Sequence, residues 1–521
     1  MKKLVFCMVG VAALAVLSFS SVVAQDNILL YGGNQDIHDI DPATGENYSI
    51  NAALRSLYDA LFIARGNDIV PHLVTSFQGN EDASVWDMEL VENAVFHDDG
   101  SSVNADAVVY SFNRTLEIGG PPTYRWAGIV ENVEATGEFS VRFTLSRPFA
   151  PFTQTLTQMF IVNPATVEAN RGDDFGATYL RTTSAGSGPF AQGRWEIGNL
   201  YEFHAVPDYW GGWPENGIDG FIWIIQREGS TQVNSLLAGE THVADTIDFS
   251  DIDRLNESPD HFVEVNPGFF TNTLKFNNQQ GPSADVNVRR AVAHAMNYEI
   301  LPEVLDNDIV ILPGPQPANF PGFKEGLDIP TFDLDKAREY LAASAYADEW
   351  EAGTLELDYV YVTDFAMEEV PGLLLQSNLA EIGVTMNMVP MLWPDMVASC
   401  GNVETGPDII NIYTLPSYGD PDAHYYNQYH SANWGSFNSC NFYANDRVDE
   451  LLDAARAEAD WDRRVEMYGE VQEILVDEAV GAWMYTEAGT IAFNACIGGF
   501  VFSPYYPITV LFQDLTMVDC P

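Results

Sequence analysis

Residues 86–111 read WDMELVENAVFHDDGSSVNADAVVYS, and this stretch decides the fold. Asn104 stands where a helix N-cap belongs, because its short side-chain oxygen can accept an unpaired first-turn N–H. Val108, Phe112 and, just beyond, Leu116 then recur at helical spacing. The alternation continues outward. Residues 286–296 read as a helix with an Arg289-Arg290 pair, and Leu355, Leu357, Tyr359 and Tyr361 alternate as in a strand. Residues 373–382 read as a helix, with Gly383 where a left-handed C-terminal glycine belongs. Asn445 caps a helix bearing Val448, Leu451, Leu452 and Ala455, and residues 465–476 place Tyr468, Val471, Ile474 and Leu475 on one face. Strand and helix alternating over most of the length indicate an α/β architecture.

At roughly 100–200 residues per domain, the 521 residues suffice for two to four domains. Hydrophobic residues make up 46% and aromatics 12%, a folding composition. Acidic residues number 75 and basic residues 23, for a net charge of -52. That charge excludes a nucleic-acid partner, which needs clustered Lys and Arg, and ill suits an anionic membrane surface. Of five lysines, Lys2 and Lys3 sit in a leader, leaving Lys275, Lys324 and Lys336. So negative a surface repels itself, and salt screens the repulsion, with a Debye length of about 3 Å at 1 M. Work in high salt and a lineage-wide compositional bias both account for it.

Met1-Lys2-Lys3, an apolar run, and small residues at Val22 and Ala24 form a secretory signal peptide cleaved after Ala24. The alternative is a membrane anchor, against which stand Ser18, Ser20, Ser21 and the cleavage site. Cys7 lies inside the apolar run, too early for lipidation. The mature chain is expected in the periplasm or outside the cell, soluble and monomeric. It keeps Cys400, Cys440, Cys496 and Cys520, an even number that implies two disulfides with three possible pairings. Cys400–Cys440 and Cys496–Cys520 are favoured because each closes a local loop. A zinc site is not supported, since no C-x-x-C occurs and His430 is ten residues from Cys440. H-E-x-x-H, the phosphate-binding loop and G-x-S-x-G are absent, and neither a catalytic set nor a cofactor is indicated.

A series of segments in order resembles the family 5 extracellular solute-binding proteins of ABC importers. Asp41-Pro42 and Leu57-Tyr58-Asp59-Ala60-Leu61 resemble the family's opening, and Pro71-His72-Leu73-Val74-Thr75-Ser76-Phe77 its next motif. The stretch at 86–111 is similar to W-x-F-x-L-R-x-x-V-x-F-H-D-G followed by T-A-x-D-V-x-x-S, the most diagnostic part. Gly186-Ser187-Gly188-Pro189-Phe190, Asp208-Tyr209-Trp210, Val288-Arg289-Arg290-Ala291-Val292 and Gly419-Asp420-Pro421-Asp422 continue the match over nearly the whole mature chain.

The resemblance implies an α/β, two-lobed periplasmic-binding-protein fold that closes by a hinge over an interlobe ligand cleft. It implies a discontinuous lobe I (residues 25–56, 181–268 and 492–521) carrying an extra subdomain at 57–180, and a lobe II at 269–491. It implies delivery of a small solute or peptide to the permease subunits of an ABC transporter. Dipeptide-binding members hold the ligand's amino terminus with an Asp that falls near Ser417 here, and its carboxylate with an Arg that falls near Val362 or Thr363. Neither anchor is present, and an unpaired buried charge would cost several kcal/mol. Short free peptides are therefore disfavoured. An oligopeptide bound through its main chain is the leading ligand, an oligosaccharide or other neutral solute the alternative, and a nickel chelate a third. A secreted hydrolase is the rival from another class.

The expected ligand contacts are Tyr413, Ser417, Tyr418, Gly419 and Asp420 facing Gly32, Gly33, Asn34 and Gln35, with Trp393 and Trp434 as walls and Asn277 nearby. Gly32 and Gly33 would expose main chain, and Asn34 and Gln35 would offer amides to a neutral ligand. The aromatic residues would stack on a ring or line an apolar pocket.

Overall fold

The computed structural model describes residues 27–305, 309–506 and 508–520. The leader at 1–24, its cleavage site and Cys7 lie outside the described residues.

The helix opened by Asn104 runs Ala105–Ile118, and the Asn104 side chain accepts the Ala107 N–H. It lies over a four-stranded antiparallel sheet ordered Val74–Gly79, Val85–Leu90, Ser140–Leu145 and Val130–Gly137. Val108, Phe112, Trp86, Phe143 and Phe152 form a core of the subdomain's own. Within the subdomain the Asp98 side chain accepts from Asn163, while His97 hydrogen-bonds the Gly188 carbonyl and so ties the stretch to the first lobe.

Asp59 explains why separated segments share one pattern. Its buried carboxylate accepts from Ser187 Oγ, Tyr209 OH and Trp210 Nε1 and pairs with His72 Nε2, at 2.6–2.9 Å. Four of the sequence segments meet on that one acid. Gly186 and Gly188 pack on the end of the helix Tyr48–Leu57, where a Cβ would fall 2.0 Å from the Leu57 carbonyl oxygen and 2.6 Å from its carbon. Asp41, in the opening segment, is gripped in the interior by both terminal nitrogens of Arg114 at 2.6 and 2.7 Å.

One eleven-stranded sheet runs through both lobes. In the first lobe, Ile28–Gly33 lies between Gly220–Ile225 and Val243–Ala244. In the second, Glu356–Val362 lies between Thr385–Met391 and Ile409–Thr414. Two long strands, His261–Phe276 and Gly481–Asn494, join the halves. His261–Pro267 pairs with the end of its partner on the first-lobe side, and Thr271–Lys275 with its start on the second-lobe side. The register shifts between Pro267 and Thr271, where Pro267 has no N–H to donate and a Cβ on Gly268 would lie 2.8 Å from the Glu487 carbonyl oxygen.

The cysteines pair Cys400–Cys440 and Cys496–Cys520, with Cα separations of 4.8 and 5.1 Å. No helix among the described residues is long and apolar enough to cross a membrane.

Candidate functional site

A cavity of about 910 Å³ opens between the lobes, within the size range of small-molecule sites. The first-lobe side contributes Tyr48, at the start of its helix, and Tyr124, in the short helix Pro121–Arg125. The second lobe contributes Phe270, Val362, Phe365, Glu368, Trp393, Tyr413 and Thr414, then Leu415 and Ser417 from the loop after the strand Ile409–Thr414. Asn427, Asn433, Ser436 and Asn438 add neutral polar groups. A smaller cavity of about 260 Å³ adjoins it, sharing Tyr48, Phe270 and Leu415 and reaching Glu487 beside the hinge strands.

The second-lobe wall rests on an unusual helix start. The helix Ala366–Glu381 begins seven residues before the expected 373 and contains Pro371. Proline removes the N–H that would bond the carbonyl four residues earlier, at Met367. The Tyr485 hydroxyl donates to that carbonyl instead, at 2.6 Å. The next carbonyl, at Glu368, accepts from Tyr359 OH at 2.7 Å and from Asn411 Nδ2 at 3.3 Å. Side chains from three strands thus fix the first turn and, with it, Phe365 and Glu368. The chain enters this turn through Asp364, whose φ of 59° is a left-handed conformation uncommon outside glycine.

Glu368 is 2% exposed, and its carboxylate accepts the Val362 N–H at 2.8 Å. Burial pushes its pKa up to about 7. Glu487 is also raised by burial, against the opposing effect of a 2.6 Å hydrogen bond from Tyr413 OH. The Tyr413 ring stacks on Phe270 at 4.6 Å and sits 5.4 Å from Phe365. No Lys, Arg or His lines either cavity among the described residues. Arg125, beside Tyr124, is spent on Glu46 at 3.0 and 3.2 Å. Lys275 reaches the Asn438 carbonyl from within the interior, where burial lowers its pKa to about 7.

Of the expected contacts, Trp393, Tyr413 and Ser417 line the main cavity. Val362, where the Arg anchor would fall, lines it too. Tyr418 and Gly419 belong instead to the lobe contact, and Asp420 to the interior of the second lobe. The Tyr418 ring meets Phe149 edge-on, a Cβ on Gly419 would lie 2.4 Å from the Tyr505 ring, and Asp420 binds both terminal nitrogens of Arg464 at 2.6 and 2.8 Å. Gly32 and Gly33 end the strand Ile28–Gly33, where Gln226 and the Trp223 ring cover them. Asn34 donates to Thr246 at 2.9 Å, and neither it nor Gln35 reaches the cavity lining. Asn277 spends its amide on the carbonyls of Val403 and Gly406 and on the N–H groups of Gln279 and Gln280. Trp434 donates to the Tyr443 carbonyl and packs edge-on to Phe442, outside the lining.

Sequence reading missed Phe365, Glu368, Tyr48 and Tyr124. An acid in the first turn of a helix looks like ordinary helix-dipole compensation, and Pro371 moved the expected helix start past it.

Residues 68–436 match the model for bacterial extracellular solute-binding proteins, family 5, and the chain belongs to that family. It is 28% identical over 443 residues to the probable D,D-dipeptide-binding periplasmic protein of Escherichia coli (strain K12), covering 84% of this chain and 83% of that one. It is 24% identical over 510 residues to the dipeptide-binding protein of the same organism, covering 92% of each. In structure it resembles HbpA2 from Haemophilus parasuis, with a TM-score of 0.86, 22% identity and coverage of 94% of this chain and all of that one. This is the two-lobed periplasmic-binding-protein architecture.

Proposed function

We propose that this protein is the exported receptor of an ABC importer and captures an oligopeptide between its lobes for delivery to the permease subunits. The observation that carries this reading is the interlobe cavity of about 910 Å³, walled by aromatic rings and neutral amides, in a chain of the solute-binding family. The curated relatives include proteins named for dipeptide and di/tripeptide binding. Val362 and Ser417 stand on the cavity where charge anchors would grip the ends of a dipeptide, so the peptide is held mainly through its main chain and side chains.

In this reading the hinge lies at the register shift between Pro267 and Thr271 and the facing residues 486–488. The reading keeps the lobe boundaries at 268/269 and near 491, close to that shift. Residues 57–180 form the inserted subdomain, the leader is cleaved after Ala24, and the receptor works as a monomer without catalysis. Mass spectrometry of material released by denaturing the purified protein tests the ligand. Oligopeptides are expected, and recovery of only sugars or metal chelates would overturn the peptide reading. Incubation with the ligand should deplete it from solution without forming products.

A further inference from the structure

The two interlobe cavities share a chemical asymmetry. Each is lined by one glutamate, Glu368 or Glu487, and by no cation among the described residues. Tyr413 lies between the two acids: its ring lines the larger cavity while its hydroxyl bonds Glu487. The Tyr413 ring, stacked on Phe270 and flanked by Phe365, lines the same cavity as Glu368. The only hydrogen bond described at that carboxyl is from the Val362 N–H, and no described salt bridge includes Glu368. Asn272, on the same sheet and in register with Tyr413 and Tyr485, is fully buried with neither end of its amide bonded.

A carboxyl shut away from water without a cation is costly to ionise. Aromatic faces attract an ammonium through the ring quadrupole, most strongly where both are desolvated. Together they form a pocket complementary to a cation with an apolar surround. A ligand carboxylate would find nothing positive in either lining.

We propose that the second-lobe wall is an ammonium-binding subsite in which Glu368 pairs with the ligand's cationic nitrogen while Phe270, Phe365 and Tyr413 enclose it. Resting on the peptide reading, this assigns the ammonium to the amino terminus of the bound peptide and leaves the carboxyl end unclamped. The receptor therefore selects free amino termini and is indifferent to amidation of the other end. If the peptide reading is wrong, the same subsite takes a small organic ammonium.

The test uses the whole mature protein, freed of bound material by unfolding and refolding, and its Glu368→Gln variant, which keeps the acceptor for the Val362 N–H. Binding of a random tetrapeptide amide pool is compared with that of the same pool N-acetylated, and tert-butylammonium with its uncharged counterpart tert-butanol. In the wild type, N-acetylation should weaken binding roughly tenfold or more, the scale of losing a charged hydrogen bond. In Glu368→Gln the two pools should bind alike. Equal binding of the two pools to the wild type, or an unchanged preference in the variant, overturns the ammonium subsite while leaving peptide binding intact. Preference for tert-butylammonium over tert-butanol with no capture of either pool upholds the subsite and overturns the peptide reading. No preference with either pair overturns the subsite.

Discussion

Two sets of carboxylates drawn in from solvent lie in the second lobe, Asp420, Asp422 and Glu368 buried and Glu487 half-buried, and they are treated oppositely. Asp420 and Asp422, around the start of the helix Pro421–Tyr429, are each held by two nitrogens of a buried arginine, Arg464 and Arg456. Arg456 also lies over the Tyr426 ring, and its carbonyl accepts the Ala150 N–H of the subdomain. Glu368 and Glu487 have no such partner and line the cavities. The paired acids are fastenings at the far end of the loop that carries Leu415 and Ser417 on from the strand end at Tyr413 and Thr414. The unpaired acids are left to the ligand. An acidic residue's role here is read from what faces it, not from its place in the sequence.

The sharpest way to break this contrast is to remove a partner from the paired set. Arg464→Met should destabilise the protein by about 3–5 kcal/mol, the usual result of stranding one member of a buried ion pair. Denaturant unfolding measures it, and a loss below about 1 kcal/mol would mean that Asp420 is no fastening.

Next comes the frame around both sets. Cys400–Cys440 brackets the paired acids and much of the cavity wall across a separation of 40 residues. Replacing both cysteines with serine should cost about 2–4 kcal/mol, as for other loops of this kind. Ligand affinity should fall as well, because the loop loses its closure. Unfolding with and without ligand separates the two effects.

The unpaired set predicts a pH dependence of the ligand-free protein. Burial raises the Glu368 pKa from 4.5 to about 7. The folded state therefore binds this proton more tightly, so the stabilising contribution is complete below pH 4.5 and is lost as pH rises through about 7. Glu368→Gln should then gain on the wild type across that window, by about 3 kcal/mol at its upper end at 1.36 kcal/mol per unit. Tyr359, Tyr413 and Tyr485 face this region with pKa values raised by burial, and stay neutral throughout. Glu487, raised in the same direction, is common to both proteins, and Glu369 and Asp364 flank Glu368 on its own segment. Thermal melts of both proteins from acid to mildly alkaline pH provide the comparison, and parallel curves would remove Glu368 as the titrating group.

The smallest expected effect separates two tryptophans. Trp393 lines the cavity, so Trp393→Ala should weaken ligand binding by about 1–3 kcal/mol through lost apolar contact. Trp434, bonded to Tyr443 outside the lining, should leave affinity unchanged when truncated. Calorimetry with the co-purified ligand distinguishes them, and the reverse order would move the cavity wall.

The fold was largely legible in the chain. Local signals are short-range: Asn104 and Asn445 cap the helices they were expected to cap, at Ala105–Ile118 and Asp446–Ala457. The family segments carried the rest because each holds a residue with a fixed structural duty, as with Asp59, Gly186 and Gly188. The disulfide pairing followed from loop length. The site was half legible: the loop before Gly419 was located, and Trp393, Tyr413 and Ser417 lie on the cavity. The first-lobe wall was not, because Tyr48 and Tyr124 are exposed tyrosines on helices, with no local mark of function. Nor was Glu368, since 75 acids look alike until burial and neighbours distinguish them. The sequence alone determined the family, the α/β order and the charge. Only the tertiary structure decided which acids meet an arginine and which meet the cleft, because that depends on segments dozens of residues apart arriving at the same place.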